Sequence, residues 1–202
     1  LKQHNIVRMI AYSSISQGGF VLMPLAVAGL SGSGTTALRS VVLYMIVYAA
    51  TNLGVFAIIL AVSNKTRSGE ISSYGGLFSY APSLGVLMTL FLASLAGIPP
   101  LGGWIAKFVA FQSLIQSQST WGYALAVVGA VNSVVAFGYY GNVMREIWMR
   151  PVPDNDVLQI SVPGSLRLAL VITTGSTLVF GVLPGVGLRF ADLAEIAGAV
   201  IR

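Results

Sequence analysis

The stretch Leu92-Ala93-Ser94-Leu95-Ala96-Gly97-Ile98-Pro99-Pro100-Leu101-Gly102-Gly103-Trp104-Ile105-Ala106-Lys107-Phe108 decides how the rest of the chain is read. It lies at the end of 36 uncharged residues between Glu70 and Lys107, and 37 more follow before Arg145. A continuous helix from Pro82 to Ile115 would be about 50 Å long, well beyond a hydrocarbon core about 30 Å thick. It must break. Two adjacent prolines remove backbone donors and clash with the preceding turn, and the flanking glycines resist helix formation. Non-helical backbone at membrane depth survives only where it is buried in protein or lines a wet cavity, and broken helices of this kind mark ion pathways in transporters. An isolated proline reads equally well as a packing kink. The pattern Gly-x-Pro-Pro-x-Gly-Gly instead predicts a functional break built from Gly97, Pro99, Pro100, Gly102 and Gly103.

Outward from this stretch the charge spacing repeats. Arg8 to Arg39, Arg39 to Lys65 and Arg167 to Arg189 are also charge-free, and no such gap is shorter than 21 residues. About 20 apolar residues cross a bilayer as a helix. Closed β-barrels are the other solution in lipid, but their strands alternate over about 10 residues, whereas these blocks are continuously apolar. The expected fold is therefore all-α, a polytopic transmembrane helix bundle forming a single membrane domain over 1–202. Its five spans are 6–30, 36–62, 82–115 (broken near 97–103), 123–144 and 166–188.

Composition agrees with that class and excludes others. Of 202 residues, 55% are hydrophobic and 8% charged, with mean hydropathy +0.83. Soluble domains carry about 25% charged residues, and disordered chains need low hydrophobicity. There is no cysteine and one histidine, His4, which rules out a disulfide scaffold, cysteine-ligated zinc and cysteine-bound iron–sulfur clusters, and argues against haem. Any electron transfer belongs to other chains. The net charge of +5 comes from eleven Lys and Arg scattered singly, without the clustered basic face that nucleic acid requires.

The basic residues set an orientation. If the spans alternate, Lys2, Arg8, Lys65, Arg67, Arg145, Arg150 and Arg167 share one side, against Arg39, Arg189 and Arg202 on the other. The richer side is expected to be cytoplasmic. That makes 63–80 and 145–165 cytoplasmic loops and puts the C-terminus outside. The chain begins Leu1-Lys2-Gln3-His4-Asn5, without methionine or a signal peptide's regions, which predicts further helices upstream or neighbouring chains that complete the structure.

Lys107 is the only charge inside an apolar block. It could snorkel from a helix end. Measured back from the polar residues Gln116 to Thr120, however, it lies about 14 to 18 Å deep. An ammonium at that depth costs several kcal/mol unless hydrated or paired, and a desolvated amine can release and recapture a proton. Lys107 is therefore the expected proton carrier. None of the six acidic residues lies within a span, so its partner must be water, a hydroxyl or a carboxylate elsewhere. Other polar side chains cluster in the spans: Ser13, Ser14, Ser16 and Gln17; Tyr44, Tyr48, Thr51 and Asn52; Asn132, Ser133, Tyr139, Tyr140 and Asn142. Tyr44, Tyr48 and Thr51 share a helical face by spacing. Interhelical packing is the default role of such residues, and Tyr44, Tyr48, Thr51, Asn132 and Tyr139 are the secondary candidates for a proton pathway.

These motifs resemble one family. Arg8-Met9-Ile10-Ala11-Tyr12-Ser13-Ser14-Ile15-Ser16-Gln17-Gly18-Gly19 is similar to the Arg-x-x-Ala-Tyr-Ser-Ser-Ile segment of the antiporter-like subunits of respiratory complex I. Gly76-Leu77 and the opening stretch, Leu92 to Phe108, resemble that family's broken twelfth helix, in the form found in its subunit N branch. The second span lacks the histidines and lysine of the larger sister subunits, which also favours that branch. Recognisable motifs cover Arg8 to Lys107, and helix order plus Tyr139-Tyr140 extends the likeness further.

The resemblance implies a fourteen-helix fold with two inverted five-helix repeats, of which this chain looks like helices ten to fourteen. It implies that Lys107 is the terminal lysine of the second repeat's proton path, with the first repeat's glutamate and lysine absent here. Gly19-Phe20 departs from the usual Gly-Tyr, so no role is transferred from that tyrosine. The implied function is a proton-translocating membrane subunit of NADH:quinone oxidoreductase in a bacterial plasma membrane. Flavin, iron–sulfur clusters and quinone would sit in partner subunits, and its partners would be lipid and neighbouring antiporter-like subunits. Two other readings remain: a subunit of a multi-subunit sodium/proton antiporter, and a passive membrane scaffold in which Lys107 is dispensable.

Overall fold

The computed structural model describes residues 2–30 and 34–200, with side chains through position 192. Its helices are α1 (Ile6–Ala26), α2 (Gly34–Thr66), α3 (Leu77–Tyr80), α4 (Pro82–Ala96), α5 (Gly102–Gln116), α6 (Thr120–Met149), α7 (Gly164–Val182) and α8 (Pro184–Val200). Short 3₁₀ turns cover Ile71–Tyr74 and Pro153–Asn155. The chain is a polytopic helical membrane bundle. Four helices, α1, α2, α6 and α7, are long and apolar enough to cross a bilayer. Over the expected third span the helix is interrupted: α4 and α5 have 15 residues each, about 22 Å apiece.

Helix boundaries follow local chemistry. Asn5 caps α1, its side-chain oxygen accepting from the Arg8 N–H at 3.1 Å. Its end at Ala26 falls short of the expected Leu30, because Pro24 and Gly29 cannot sustain the ladder. At its other boundary α6 outruns expectation and reaches Met149: Ile147 is buried, Trp148 donates to Thr89 at 2.8 Å, and Glu146 pairs with Arg150. Pro151 then follows. The expected fifth span to Leu188 is really two helices. α7 stops at Val182 because Pro184 pushes Leu183 out of the helical region, to φ −118 and ψ 68, and Pro184 opens α8. Arg202, counted with the opposite face, lies outside the described residues.

α2 is the central strut, packed against α1, α4, α5, α7 and α8, while α6 closes the far side of α1, α4 and α5. The broken pair is thus held between α2 and α6. Two apolar clusters form the core. One gathers Ile6, Met9, Ile10, Val55, Ile58, Phe91, Leu92, Val143 and Ile147; the other gathers Phe20, Leu43, Val47, Ile105, Val109 and Ala191. On α1 the clusters are separated by Ser13 and Gln17, and on α2 by Thr51, all buried. A polar layer therefore crosses the bundle at the level of the helix break.

The connections at the loop-rich end are tied to the helices. Ile6 N–H donates to Gly69 at 2.8 Å, and Ile71 N–H to His4 at 2.7 Å. Lys65 donates to the carbonyls of Asp156 and Leu158, pairs with the Asp156 carboxylate at 3.4 Å and sits 4.1 Å over the Tyr80 ring. Burial, and then the Asp156 charge, raise the Tyr80 phenol above its ordinary value. At the opposite end Arg39 pairs with Asp192 at 2.8 Å, fastening α8 to the start of α2.

Candidate functional site

A helix end leaves four carbonyls without intrahelical donors, and inside a membrane each must be satisfied. At the end of α4 all four are. Ala93 accepts from the N–H groups of Gly97 and Ile98, and Ser94 from Gly97. Gln17 of α1 donates to the Leu95 carbonyl at 3.1 Å, and Lys107 of α5 donates to the Ala96 carbonyl at 3.0 Å. The break is thus completed by two polar side chains from other helices. Its far side is stitched by Ser94, whose hydroxyl accepts from the Gly103 N–H at 3.0 Å.

Each small residue of the break has a geometric reason. Gly97 adopts φ +93, favourable only for glycine, and a Cβ there would meet the Lys107 side chain at 2.9 Å. A Cβ on Gly103 would lie 1.8 Å from the Ser94 carbonyl oxygen, so α4 and α5 touch backbone to backbone. Pro99 and Pro100, joined by a cis peptide, carry the chain between the helices. A Cβ on Gly102 would lie 3.0 Å from Val47, and one on Gly181 of α7 would lie 2.1 Å from the Pro100 carbonyl oxygen.

Lys107 is only 5% exposed, so the side chain turns inward instead of snorkelling. Besides Ala96, its ammonium donates to the Ser133 hydroxyl of α6 at 3.3 Å and stands 4.6 Å from the Phe20 ring centroid. Among the described residues no ion pair involves it. The negative end of the α4 dipole, a ring face and a hydroxyl together stabilise a cation, while burial opposes it.

Around Lys107 runs a hydrogen-bonded layer. Tyr44 donates to Gln17, Gln17 donates to Tyr140 at 3.2 Å, and Tyr140 shares a short hydrogen bond with Ser13. Tyr48 donates to Ser14 at 2.7 Å, Thr51 lies 3.3 Å from Thr177 of α7, and Asn132 donates to Ser16 at 2.8 Å. Tyr44, Tyr48 and Thr51 all border one small void with Gln17 and Ser94, about 10 Å³ and so room for about one water. Asn132 and Tyr139 instead line a cleft of about 180 Å³ between α1 and α6, with Gln3, Ser13, Ser16 and Asn142. The secondary candidates therefore divide into two groups on either side of α1. Ser133, next to Asn132, connects the cleft side to Lys107.

Gln17, Ser133 and Tyr140 are legible in the sequence only as polar membrane residues, Phe20 only as a departure from the family's Gly-Tyr, and Ser94 and Thr177 carry no signal of a place at the site. Gln17 had one available signal: an amide needs several partners, and a broken helix is where spare carbonyls occur. At position 20 the resemblance marks only the change from tyrosine, and an aromatic in an apolar span is ordinarily core, so the contact of the Phe20 ring with Lys107 is visible only in the structure.

Residues 1–133 match the family model described as NADH:quinone oxidoreductase/Mrp antiporter, transmembrane. The chain belongs to this family. Among curated relatives, NADH-quinone oxidoreductase subunit N of Dehalococcoides mccartyi is 37% identical over 194 residues, covering 96% of this chain and 39% of the relative. Subunit N of Trichlorobacter lovleyi is 35% identical, with 96% and 38% covered. The chain thus spans about two fifths of the length of the curated relatives it matches. A chain of respiratory complex I from Thermus thermophilus, solved with bound aureothin, superposes with a TM-score of 0.75 at 25% identity, covering 93% of this chain and 40% of that one. A chain of the archaeal membrane-bound sulfane sulfur reductase shares the fold with a TM-score of 0.78 at 24% identity, covering 98% and 38%.

Proposed function

We propose that this chain is a proton-translocating membrane subunit of an NADH:quinone oxidoreductase, with Lys107 as the group that takes up and releases the proton. The observation that carries this reading is a lysine buried at a helix break and bonded to a freed carbonyl and a hydroxyl. A structural lysine in lipid would be expected to face the interface or a carboxylate. In this reading protons enter by the cleft between α1 and α6, pass Ser16, Asn132 and Ser133, and reach the Lys107 amine. Tyr44, Tyr48, Thr51 and Tyr139 border the water sites that connect this layer. In this reading quinone reduction and the flavin and iron–sulfur chemistry belong to partner subunits, and this chain's own part is the proton step at Lys107.

The test is the intact assembly from its own membranes. Extracted in mild detergent, the chain is expected to co-purify with flavin- and iron–sulfur-bearing subunits. In proteoliposomes, oxidation of NADH by quinone is then expected to acidify one compartment. Sodium/proton exchange by an assembly with no quinone reductase activity would overturn this reading in favour of an antiporter subunit.

The orientation belongs to the same proposal: a bacterial plasma membrane, with 63–80 and 145–165 on the cytoplasmic side and the C-terminus outside. Single cysteines at Ser68 and Asn155, in a chain with no native cysteine, are expected to react with an impermeant thiol reagent only in inside-out vesicles. Labelling of either in right-side-out cells would reverse the topology.

A further inference from the structure

A third cavity, of about 590 Å³, lies between the start of α4, the segment leading into α7, and α7 itself. We propose that it binds an anionic phospholipid, with the phosphate on Arg167 and one acyl chain along Leu84, Leu87, Leu170 and Val171. This goes beyond the proton-transfer reading and does not depend on it.

Charge comes first. Arg167 stands in the first turn of α7, exposed at the cavity's edge, and none of the ion pairs among the described residues includes it. An unpaired guanidinium presents a planar fork that matches two phosphate oxygens. Of the two acidic residues in the neighbouring loop, Asp156 is paired with Lys65, and neither it nor Asp154 forms an ion pair with Arg167. Ser83, in the first turn of α4, supplies a hydroxyl at the same cavity.

The shape is that of a lipid. From Arg167 to Thr174 the cavity follows α7 for about 10 Å. It therefore runs from the helix end, where headgroups lie, into the depth of the acyl chains. Its walls below Arg167 are aliphatic, and Ile160 and Val162 of the loop border it. Apart from the Thr174 hydroxyl at its lower end, six aliphatic side chains (Leu84, Leu87, Ile160, Val162, Leu170 and Val171) line it, which suits an acyl chain. Basic pockets between membrane helices on the positive side are suited to anionic headgroups. Phosphatidylglycerol supplies a net negative charge that the choline of phosphatidylcholine would cancel.

The experiment uses the whole complex in nanodiscs containing phosphatidylglycerol with a photoreactive acyl chain. Adducts are expected on the peptides containing Leu84 to Leu87 and Leu170 to Thr174. Excess unlabelled phosphatidylglycerol should compete, and phosphatidylcholine or inorganic phosphate should not. Arg167→Gln is expected to lower labelling about tenfold, the loss of a charge-assisted hydrogen-bond pair, and Arg167→Lys to restore part of it. Val171→Trp, at an exposed position, should lower labelling by filling the cavity without changing the charge. Equal competition by phosphatidylcholine would overturn the proposal and leave a neutral acyl-chain groove. Absent lipid adducts, with crosslinks to a neighbouring subunit in their place, would overturn it in favour of a protein interface.

Discussion

Lys107→Met is expected to lower both quinone reduction and proton translocation about tenfold or more in a complex that assembles normally, since a positioned proton-transfer group contributes about 10²–10⁴-fold. Methionine keeps most of the stem and occupies the same space between α4, α1 and α6, but it cannot donate to Ala96 or Ser133. It also cannot take up a proton. In a complex where electron flow and proton movement are coupled, a blocked proton step holds back both. Lys107→Arg should rescue only in part, because guanidinium keeps the charge and the hydrogen bonds but does not deprotonate at accessible pH. The two variants separate a proton carrier from a structural cation: a carrier is damaged by both, whereas a cation that only caps the α4 carbonyls is restored by arginine. The decisive measurement is quinone reductase rate and proton gradient in membranes with matched complex content. Full activity of the methionine variant would favour a scaffold.

The second large effect lies in the backbone of the break. Gly103→Val is expected to prevent the assembled complex from accumulating, because its Cβ would lie 1.8 Å from the Ser94 carbonyl oxygen and 2.7 Å from its carbon. Overpacking a core with flexible side chains costs about 1–3 kcal/mol. Here the obstacle is backbone, and moving it would also separate the Gly103 N–H from the Ser94 hydroxyl. The loss should reach the upper end of that range, about 3 kcal/mol or more, which is over 100-fold in a folding equilibrium. Gly138→Ala is the control. Nothing lies within 4 Å of its added Cβ, and alanine in place of a helical glycine is favourable by about 0.5–1 kcal/mol. Membrane levels of the chain, measured with a tag, are expected to collapse for Gly103→Val and stay unchanged for Gly138→Ala. Normal levels of both would mean that α4 and α5 can separate without loss.

How much of this was legible beforehand depends on how far each feature reaches along the chain. Membrane class, the apolar blocks, the interruption at Gly97 to Gly103 and the isolation of Lys107 are properties of consecutive residues. Hydropathy, missing proline donors and charge spacing act over one helix turn to one helix length, so they can be read without knowing any neighbour. The same kind of signal was present at Pro184, which splits the last apolar block into α7 and α8. There a single proline near the end of an uncharged run was outweighed by the run itself.

The site required the bundle. Ser13 and Tyr140 are 127 residues apart, and Lys107 and Ser133 are 26 apart. Which of them meet depends on the rotation and height of α1, α5 and α6, and those are set by the packing of the two apolar clusters above and below. Tyr44, Tyr48 and Thr51 share a face by spacing alone, yet spacing does not say that the face meets Gln17 and Thr177 while Asn132 and Tyr139 open onto the other side of α1. Sequence by itself determined that this is a helical membrane bundle with a broken helix and one charge beside the break. The tertiary structure alone decided what that charge touches, because a hydrogen bond between helices depends on ångström-scale placement that no local periodicity specifies.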